Sequence, residues 1–324
     1  MGREAILSYL GADWTAVQQI IADALKTDIS LLSRTNDGIL SHGGKMLRPM
    51  VALLIARACG SNPVSSDGLL FAAAAELLHN ATLLHDDVAD KSDTRRGKPT
   101  VRSILGPDAA VLVGDFWLSR TVETVMKAER RDKVVHLFSN TMTGLAEGEM
   151  LQLQKAGSGD TSEEDYLRII YCKTALLFEA ACVSGAVSAD APDALVEAAR
   201  KYSIALGTAF QIKDDILDYD GAAELGKPVG IDVREQKITL PLLEAMSGAR
   251  EEKVIRRNML HTDRCPWLCG KVRRFVHRRG GVQKAALKLD SYINQALEAL
   301  EAFPPSPARD YLAEIARYNA FRTV

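Results

Sequence analysis

Two groups of carboxylates in this chain share one spacing. Asp86, Asp87 and Asp90 in "LLHDDVADKSDTRRGKPT", and Asp214, Asp215 and Asp218 in "QIKDDILDYDG", each stand at i, i+1 and i+4 behind an apolar run. At 100° per residue this spacing confines three side chains to about a 100° arc of one helix face. Carboxylates so crowded repel one another unless a cation sits among them. One such cluster is equally well a solvated helix end. Two copies, each behind an apolar helical pattern, point to a metal. If the two helices face one another, six carboxylates line one cavity mouth. Oxygen-only ligands favour a hard cation, and Mg²⁺ leaves part of its shell for water and phosphate oxygens.

Basic residues accompany both clusters. "SHGGKMLRPM" places Lys45 and Arg48 at i and i+3 behind a Gly-Gly pair, and a glycine turn leading into a helix start can hold a phosphate. Arg95 and Arg96 follow the first cluster, and Lys227 and Lys237 follow the second. Metal-binding acids with separate Lys and Arg groups suit two phosphorylated ligands, one held through metal and one directly.

The elements that must position these groups are helical almost throughout. In "WTAVQQIIADALKTDISLL" the apolar residues from Val17 to Ile29 form one amphipathic stripe. Similar periods predict helices over 45–59, 67–91, 108–127, 132–154, 163–188, 193–220, 235–246 and 282–302. "FAAAAELLHNATLL" reads as a helix buried nearly all round. Ser162 to Asp165 reads as a helix N-cap, and "AGSGDTSEED" and "GAAELGKPVGIDVREQ" read as loops. Prolines fall between the helical patterns, and alternating strand-like runs are missing. The expectation is one all-α domain spanning 1–324.

Composition sets milder bounds. The 324 residues, 47% hydrophobic and 25% charged, are ordinary for a globular chain. A net charge of −2 gives no electrostatic argument for nucleic acid or an anionic membrane. Five cysteines make an odd count with no small-domain disulfide framework, which suggests reduced thiols. The N-terminus lacks a secretory pattern, and the greasy run 69–84 is too short to span a bilayer. A cytoplasmic protein without a transmembrane segment is expected.

Taken together, "GGKMLRP", "LLHDDVADKSDTRRGKPT", "GDFWLSR", "LAEGEMLQL", "YCKTALLF" and "FQIKDDILDYDG…LGKPVGIDVREQKITLP" resemble the trans-polyprenyl diphosphate synthases, in order over roughly residues 12–300. These enzymes elongate allylic diphosphates with isopentenyl diphosphate. The resemblance implies an isoprenoid synthase-type helical bundle around a deep central cavity, a three-ion Mg²⁺ cluster and a homodimer. Under it, Asp86, Asp87, Asp90, Asp214, Asp215 and Asp218 would bind Mg²⁺. Arg95, Lys173, Lys227 and Lys237 would hold the allylic diphosphate. Lys45, Arg48, His79 and Arg96 would hold isopentenyl diphosphate without metal. Thr174 and Gln211 would lie beside a developing carbocation. Met46 departs from the basic residue usual between Lys45 and Arg48. If i and i+3 share a helix face that i+1 does not, little is lost.

The resemblance also implies a product ruler. Ala81 and Thr82 lie about one turn before Asp86, where a bulky aromatic acts as a floor in the family. Its absence favours a long all-trans product of the quinone side-chain kind, released at a membrane surface. A short-chain farnesyl or geranylgeranyl synthase is the alternative. A class I terpene cyclase would lack the second aspartate cluster and the Gly-Gly-Lys motif. A non-catalytic subunit would have no reason to keep both clusters. "HDD" suits a His-Asp phosphohydrolase only with further histidines, and no nucleic-acid partner is expected. His261, Cys265, Cys269 and His277 superficially resemble a zinc site, with ordinary packing the alternative. "KVRRFVHRRGG" reads as a solvated helix face.

Overall fold

The computed structural model describes residues 2–41, 44–95, 97–220 and 230–321. The chain divides into two compact units. The first comprises 1–139, 179–200 and 302–312. It begins with α1 (Arg3–Leu10), α2 (Ala12–Ala24), α3 (Ser30–Ser41), α4 (Leu47–Ala58) and α5 (Ser66–Ala89). A minimal hairpin follows, β1 (Thr94–Arg95) with β2 (Lys98–Pro99), antiparallel with Arg95 opposite Lys98. Then come α6 (Val101–Leu105), α7 (Pro107–Met126) and the start of α8 (Arg131–Ser158).

Helix α5 carries the first aspartates, and its sequence explains why it is central to this unit. Ser65 caps it by accepting from the Gly68 N–H at 3.2 Å. Ala72 to Ala75, Leu77, Leu78 and Ala81 have no accessible surface, as expected for a helix apolar all round. Helices α2, α4 and α7 pack on it. On α7, a Cβ at Gly114 would lie 2.3 Å from Nε2 of His85, so the imidazole rests in the space that glycine leaves.

The stripe read as one helix through Ile29 is interrupted. Helix α2 ends at Ala24, and α3 restarts at Ser30. The buried Asn36 side chain donates to the Leu25 carbonyl at 3.0 Å, and Thr27 Oγ1 accepts from the Ile29 N–H at 3.3 Å. A long-range amide and a local hydroxyl thus satisfy backbone groups that continued helix would have used. Ile29 is left 60% exposed.

The second unit comprises 140–178, 201–301 and 313–324. It takes the rest of α8, then α9 (Glu163–Ile170), a π-helical turn (Tyr171–Ala175) and the first residues of α10 (Leu176–Ser188). Most of α11 (Asp193–Asp220) follows, with α12 (Ile231–Arg234), α13 (Leu240–Met246), α14 (Glu252–Met259), α15 (Trp267–Arg278), α16 (Gly281–Ala299) and the end of α17 (Pro307–Phe321). The Ser162–Asp165 step is a full capping box: Ser162 Oγ accepts from the Asp165 N–H, and the Asp165 carboxylate accepts from the Ser162 N–H. Those bonds, with Lys155 at 2.9 Å, hold the Asp165 carboxyl down at about 2.

One helix expectation in this unit is refined and one needs correction. The predicted helix 163–188 is present with those bounds, but its hydrogen bonding widens to a π turn at Tyr171–Ala175. The predicted helix 235–246 is helical only over α13, because 235–239 separate it from α12, with Thr239 at the N-cap of α13. Residues Glu163–Ser188 are apolar and long enough to cross a membrane, a span different from 69–84, and 89% of their most apolar window is buried within protein.

Candidate active site

At the end of α5, Asp87 is 5% exposed and Arg95 Nε donates to its Oδ1 at 2.8 Å. The hairpin provides that arginine. The Thr100 hydroxyl donates to the Ser92 carbonyl, the Ser92 N–H donates to the Asp87 carbonyl, and Gly97 turns at φ +75°. Burial pushes the Asp87 carboxyl above its ordinary value, with repulsion from Asp90 adding to it, although Arg95 opposes the shift. Asp86 and Asp90 are half-buried on the same helix end. Arg96 lies outside the described residues.

Lys45, Arg48 and His79 belong to the same unit. Arg48 lies in the first turn of α4, but Lys45 precedes the helix, and Met46 between them is left-handed at φ 48°. Lys45 and Arg48 therefore do not share a helix face through i, i+3 periodicity, and the comparison with Met46 made on that basis does not hold. His79 is half-buried, and its carbonyl accepts from the Thr82 hydroxyl at 2.8 Å. Of the proposed ruler residues, Ala81 has no accessible surface and Thr82 is half-buried.

In the second unit, a cavity of about 200 Å³ is lined by Lys155, Tyr166, Lys173, Gln211, Asp215, Asp232 and Lys237 against Ile169, Ile170 and Ile238. One hydrogen-bond chain crosses its wall. The Thr174 hydroxyl donates to Gln211 Oε1 at 2.8 Å, and Gln211 Nε2 donates to Asp215 Oδ1 at 2.8 Å. The Tyr166 hydroxyl donates to Asp215 Oδ2 at 2.6 Å. The chain has a direction. Because Asp215 takes the Gln211 amide protons, Gln211 must offer its oxygen to Thr174, and Thr174 spends its proton there. Two local features permit this geometry. The π turn re-aims Lys173 and Thr174 relative to a regular helix. Gly207, one turn before Gln211, lets α11 approach that turn: a Cβ there would meet the Ala175 Cα at 2.5 Å.

The acids here differ in their surroundings. Asp215 is 4% exposed, and burial raises its carboxyl to about 7, reinforced by Asp214 and Asp218 against the donors Tyr166 and Gln211. Asp218 turns to the backbone, accepting from the N–H groups of Gly230, Ile231 and Asp232 at 3.1, 3.0 and 3.2 Å. Burial still raises it. Loss of solvent, then repulsion from Asp215 and Asp218, pushes Asp232 well above the carboxylate range. Asp214 is exposed on the same helix end. Lys173 Nζ pairs with Glu149 at 2.9 Å, and Lys237 Nζ pairs with Glu235 at 2.6 Å. Lys227 lies outside the described residues.

Among the described residues no three carboxylate, imidazole or thiol groups converge at ligand distance, including the His261, Cys265, Cys269 and His277 set. The donor chemistry nevertheless fits a divalent cation. Burial and crowding make the charged forms of Asp87, Asp215 and Asp218 costly, and a bound cation removes that cost.

The structure thus joins Asp87 with Arg95, and Thr174 with Gln211 and Asp215, and it sets Lys173 and Lys237 on the cavity that Asp215 lines. Reasoning from sequence missed Tyr166, Asp232 and Glu149. Glu149 and Asp232 stand inside stretches that carry the resemblance, but no spacing rule marks them. Tyr166 reads as the apolar face of an amphipathic helix.

The sequence model of the polyprenyl synthetase family matches residues 29–267. The chain belongs to the polyprenyl synthetase family. It is 38% identical over 318 residues to the octaprenyl diphosphate synthase of Escherichia coli, covering 98% of each chain. Among solved structures, it superposes with a TM-score of 0.91 at 34% identity on a decaprenyl diphosphate synthase from Rhodobacter capsulatus, covering all of both chains. A polyprenyl synthase from Caulobacter crescentus, complexed with calcium and isoprenyl diphosphate, matches with a TM-score of 0.90 at 36% identity, covering 100% of this chain and 98% of that one. The all-α architecture is therefore that of the polyprenyl synthetases.

Proposed function

We propose that the chain is a trans-prenyltransferase condensing isopentenyl diphosphate with an allylic diphosphate to give a long all-trans polyprenyl diphosphate. The observation that carries the reading is the directed Thr174–Gln211–Asp215–Tyr166 chain, whose last three members line a cavity with Lys173 and Lys237. With its proton committed to Gln211, the Thr174 oxygen keeps lone pairs whose partial negative charge suits a neighbouring cation. The Ile169, Ile170 and Ile238 wall keeps water away from that cation.

In the reaction proposed, the allylic C–O bond breaks with its electron pair leaving on the diphosphate. The isopentenyl double bond then forms the new C–C bond to the allylic carbon, and the released diphosphate takes the proton lost. Arg95, Lys173 and Lys237 bind the departing diphosphate, and Lys173 must exchange Glu149 for it. Lys45, Arg48 and His79 hold the isopentenyl diphosphate. Mg²⁺, held by Asp86, Asp87 and Asp90 and by Asp214 with the carboxylates beside it, would supply charge stabilisation to the leaving group. Residues 1–324 act as one catalytic domain, paired as a homodimer through exposed apolar residues such as Ile104 and Leu112.

The test is incubation of the purified protein with isopentenyl diphosphate, allylic primers and Mg²⁺, with products read by mass spectrometry. Chelator-sensitive elongation is expected, and its absence overturns the reading. Product length has its own test. Ala81→Phe shortens the products while Thr82→Ala does not. Because Ala81 is fully packed, thermal stability is measured alongside, and an unchanged distribution in a folded variant rejects the ruler.

A further inference from the structure

The net charge of −2 conceals a segregation. Between Arg250 and Arg279 stand ten Lys and Arg against three Asp and Glu, so the rest of the chain is markedly acidic. This segment forms α14 and α15. Helix α15 begins at 267, the last residue matched by the family, and contains no acidic residue. Its apolar side, Leu268, Val272, Phe275 and Val276, is buried. Along the other side Trp267, Lys271, Arg274 and Arg278 recur at i, i+4, i+7 and i+11, all exposed, which makes one stripe.

The three acids of the segment are committed elsewhere or at its edge. Glu252 pairs with Arg256 at 2.9 Å, and Asp263 accepts from Gln236 at 3.1 Å. Glu251 reaches Arg278 at 3.4 Å. Among the described residues no carboxylate pairs with Lys271 or Arg274. Trp267, which opens the helix, is 67% exposed, whereas Trp14 and Trp117 are 7% and 0% exposed. An indole is amphipathic and favours the boundary between water and hydrocarbon.

We propose that the α15 stripe docks the protein on an anionic lipid bilayer, with Lys271, Arg274 and Arg278 on the headgroups and Trp267 at the interface. Cationic side chains on one helix face with a flanking aromatic match that surface in charge and polarity. A single-stranded nucleic acid is matched less well, because it needs aromatics spaced along the stripe and α15 exposes one, at its end. The inference stands on charge and exposure alone. The proposed product, a diphosphate on a long hydrocarbon, gives the surface a use.

The test uses the full chain with vesicles of phosphatidylcholine with and without phosphatidylglycerol, and needs no prenyl substrate. Co-sedimentation with the anionic vesicles is expected, weakened by added salt, with a blue shift of Trp fluorescence that Trp267→Phe abolishes. Lys271→Gln with Arg274→Gln lowers binding roughly 25-fold at unchanged melting temperature, since each cation near an anionic surface is worth roughly five-fold. Equal binding to both vesicles, binding unchanged in the double variant, or capture by heparin or a single-stranded oligonucleotide without capture by anionic vesicles would overturn the proposal.

Discussion

The ends of α5 and α11 carry the same acidic spacing and do not offer the same chemistry. At α5, Asp87 meets a single arginine from the adjacent hairpin. At α11, Asp215 has both oxygens occupied by Tyr166 and Gln211, and Asp218 spends its oxygens on three backbone N–H groups that start α12. The aspartates of one repeated motif therefore differ: Asp87 answers to a charged side chain, whereas Asp215 and Asp218 also organise protein. In the second cluster, Asp214 is exposed at the helix end while its two companions hold structure in place.

The largest expected effect tests the first cluster. Asp87→Ala lowers turnover by about 10²–10³-fold, the scale of losing one group that stabilises developing charge. Steady-state elongation across a Mg²⁺ titration measures it, and full activity would remove Asp87 from the metal assignment.

In the second cluster, Tyr166→Phe strips the donor from Asp215 Oδ2. A buried acceptor left unpaired costs about 1–3 kcal/mol. We expect roughly a tenfold loss in kcat with little change in KM for isopentenyl diphosphate, by the same energetic scale. If the Thr174–Asp215 chain acts as a unit, Thr174→Val adds less than its full effect to Tyr166→Phe. Full additivity would break the chain into independent contacts.

Asp218→Ala separates structure from chemistry. It should raise amide hydrogen exchange at 230–232 and lower melting temperature, with Asp218→Asn partly restoring both because one acceptor oxygen remains. If Asp218→Ala changes only Mg²⁺ dependence, with exchange unaltered, the division between the clusters is wrong.

The smallest effect is in pH. Asp215 rises from 3.8 to about 7 on folding, so the folded chain keeps a proton that the unfolded chain releases. Stability therefore falls as pH rises from about 4 to about 7 and then levels. Asp87 and Asp218 act in the same direction. Thermal melts in chelator should show that decline, Asp215→Asn should flatten it, and Mg²⁺ should stabilise more at pH above 7 than below 5. A melting temperature rising through this window would contradict the burial of these acids.

Much of this is legible in local sequence. The alanine run of α5, its serine cap, the Ser162–Asp165 box and both acidic spacings are statements about residues within one or two helical turns of each other. The interruption after Ala24 is not, because the amide that satisfies the Leu25 carbonyl comes from Asn36 in the next helix. The π turn at Tyr171–Ala175 is equally silent, since "YCKTA" fits a regular helix and only the packing of Gly207 against Ala175 shows what the irregularity serves.

By itself the sequence determined the helical class and the two aspartate spacings, because these follow from periodicity along one chain, and its motifs carried the resemblance to the family. Tertiary structure decided which aspartate faces which donor. Tyr166 reaches Asp215 across 49 residues of sequence, and the N–H groups that claim Asp218 lie 12 to 14 residues beyond it. The charge state and hydrogen-bond capacity of a carboxylate depend on the atoms within a few ångströms of it, and spacing along one helix does not encode partners brought from elsewhere in the chain.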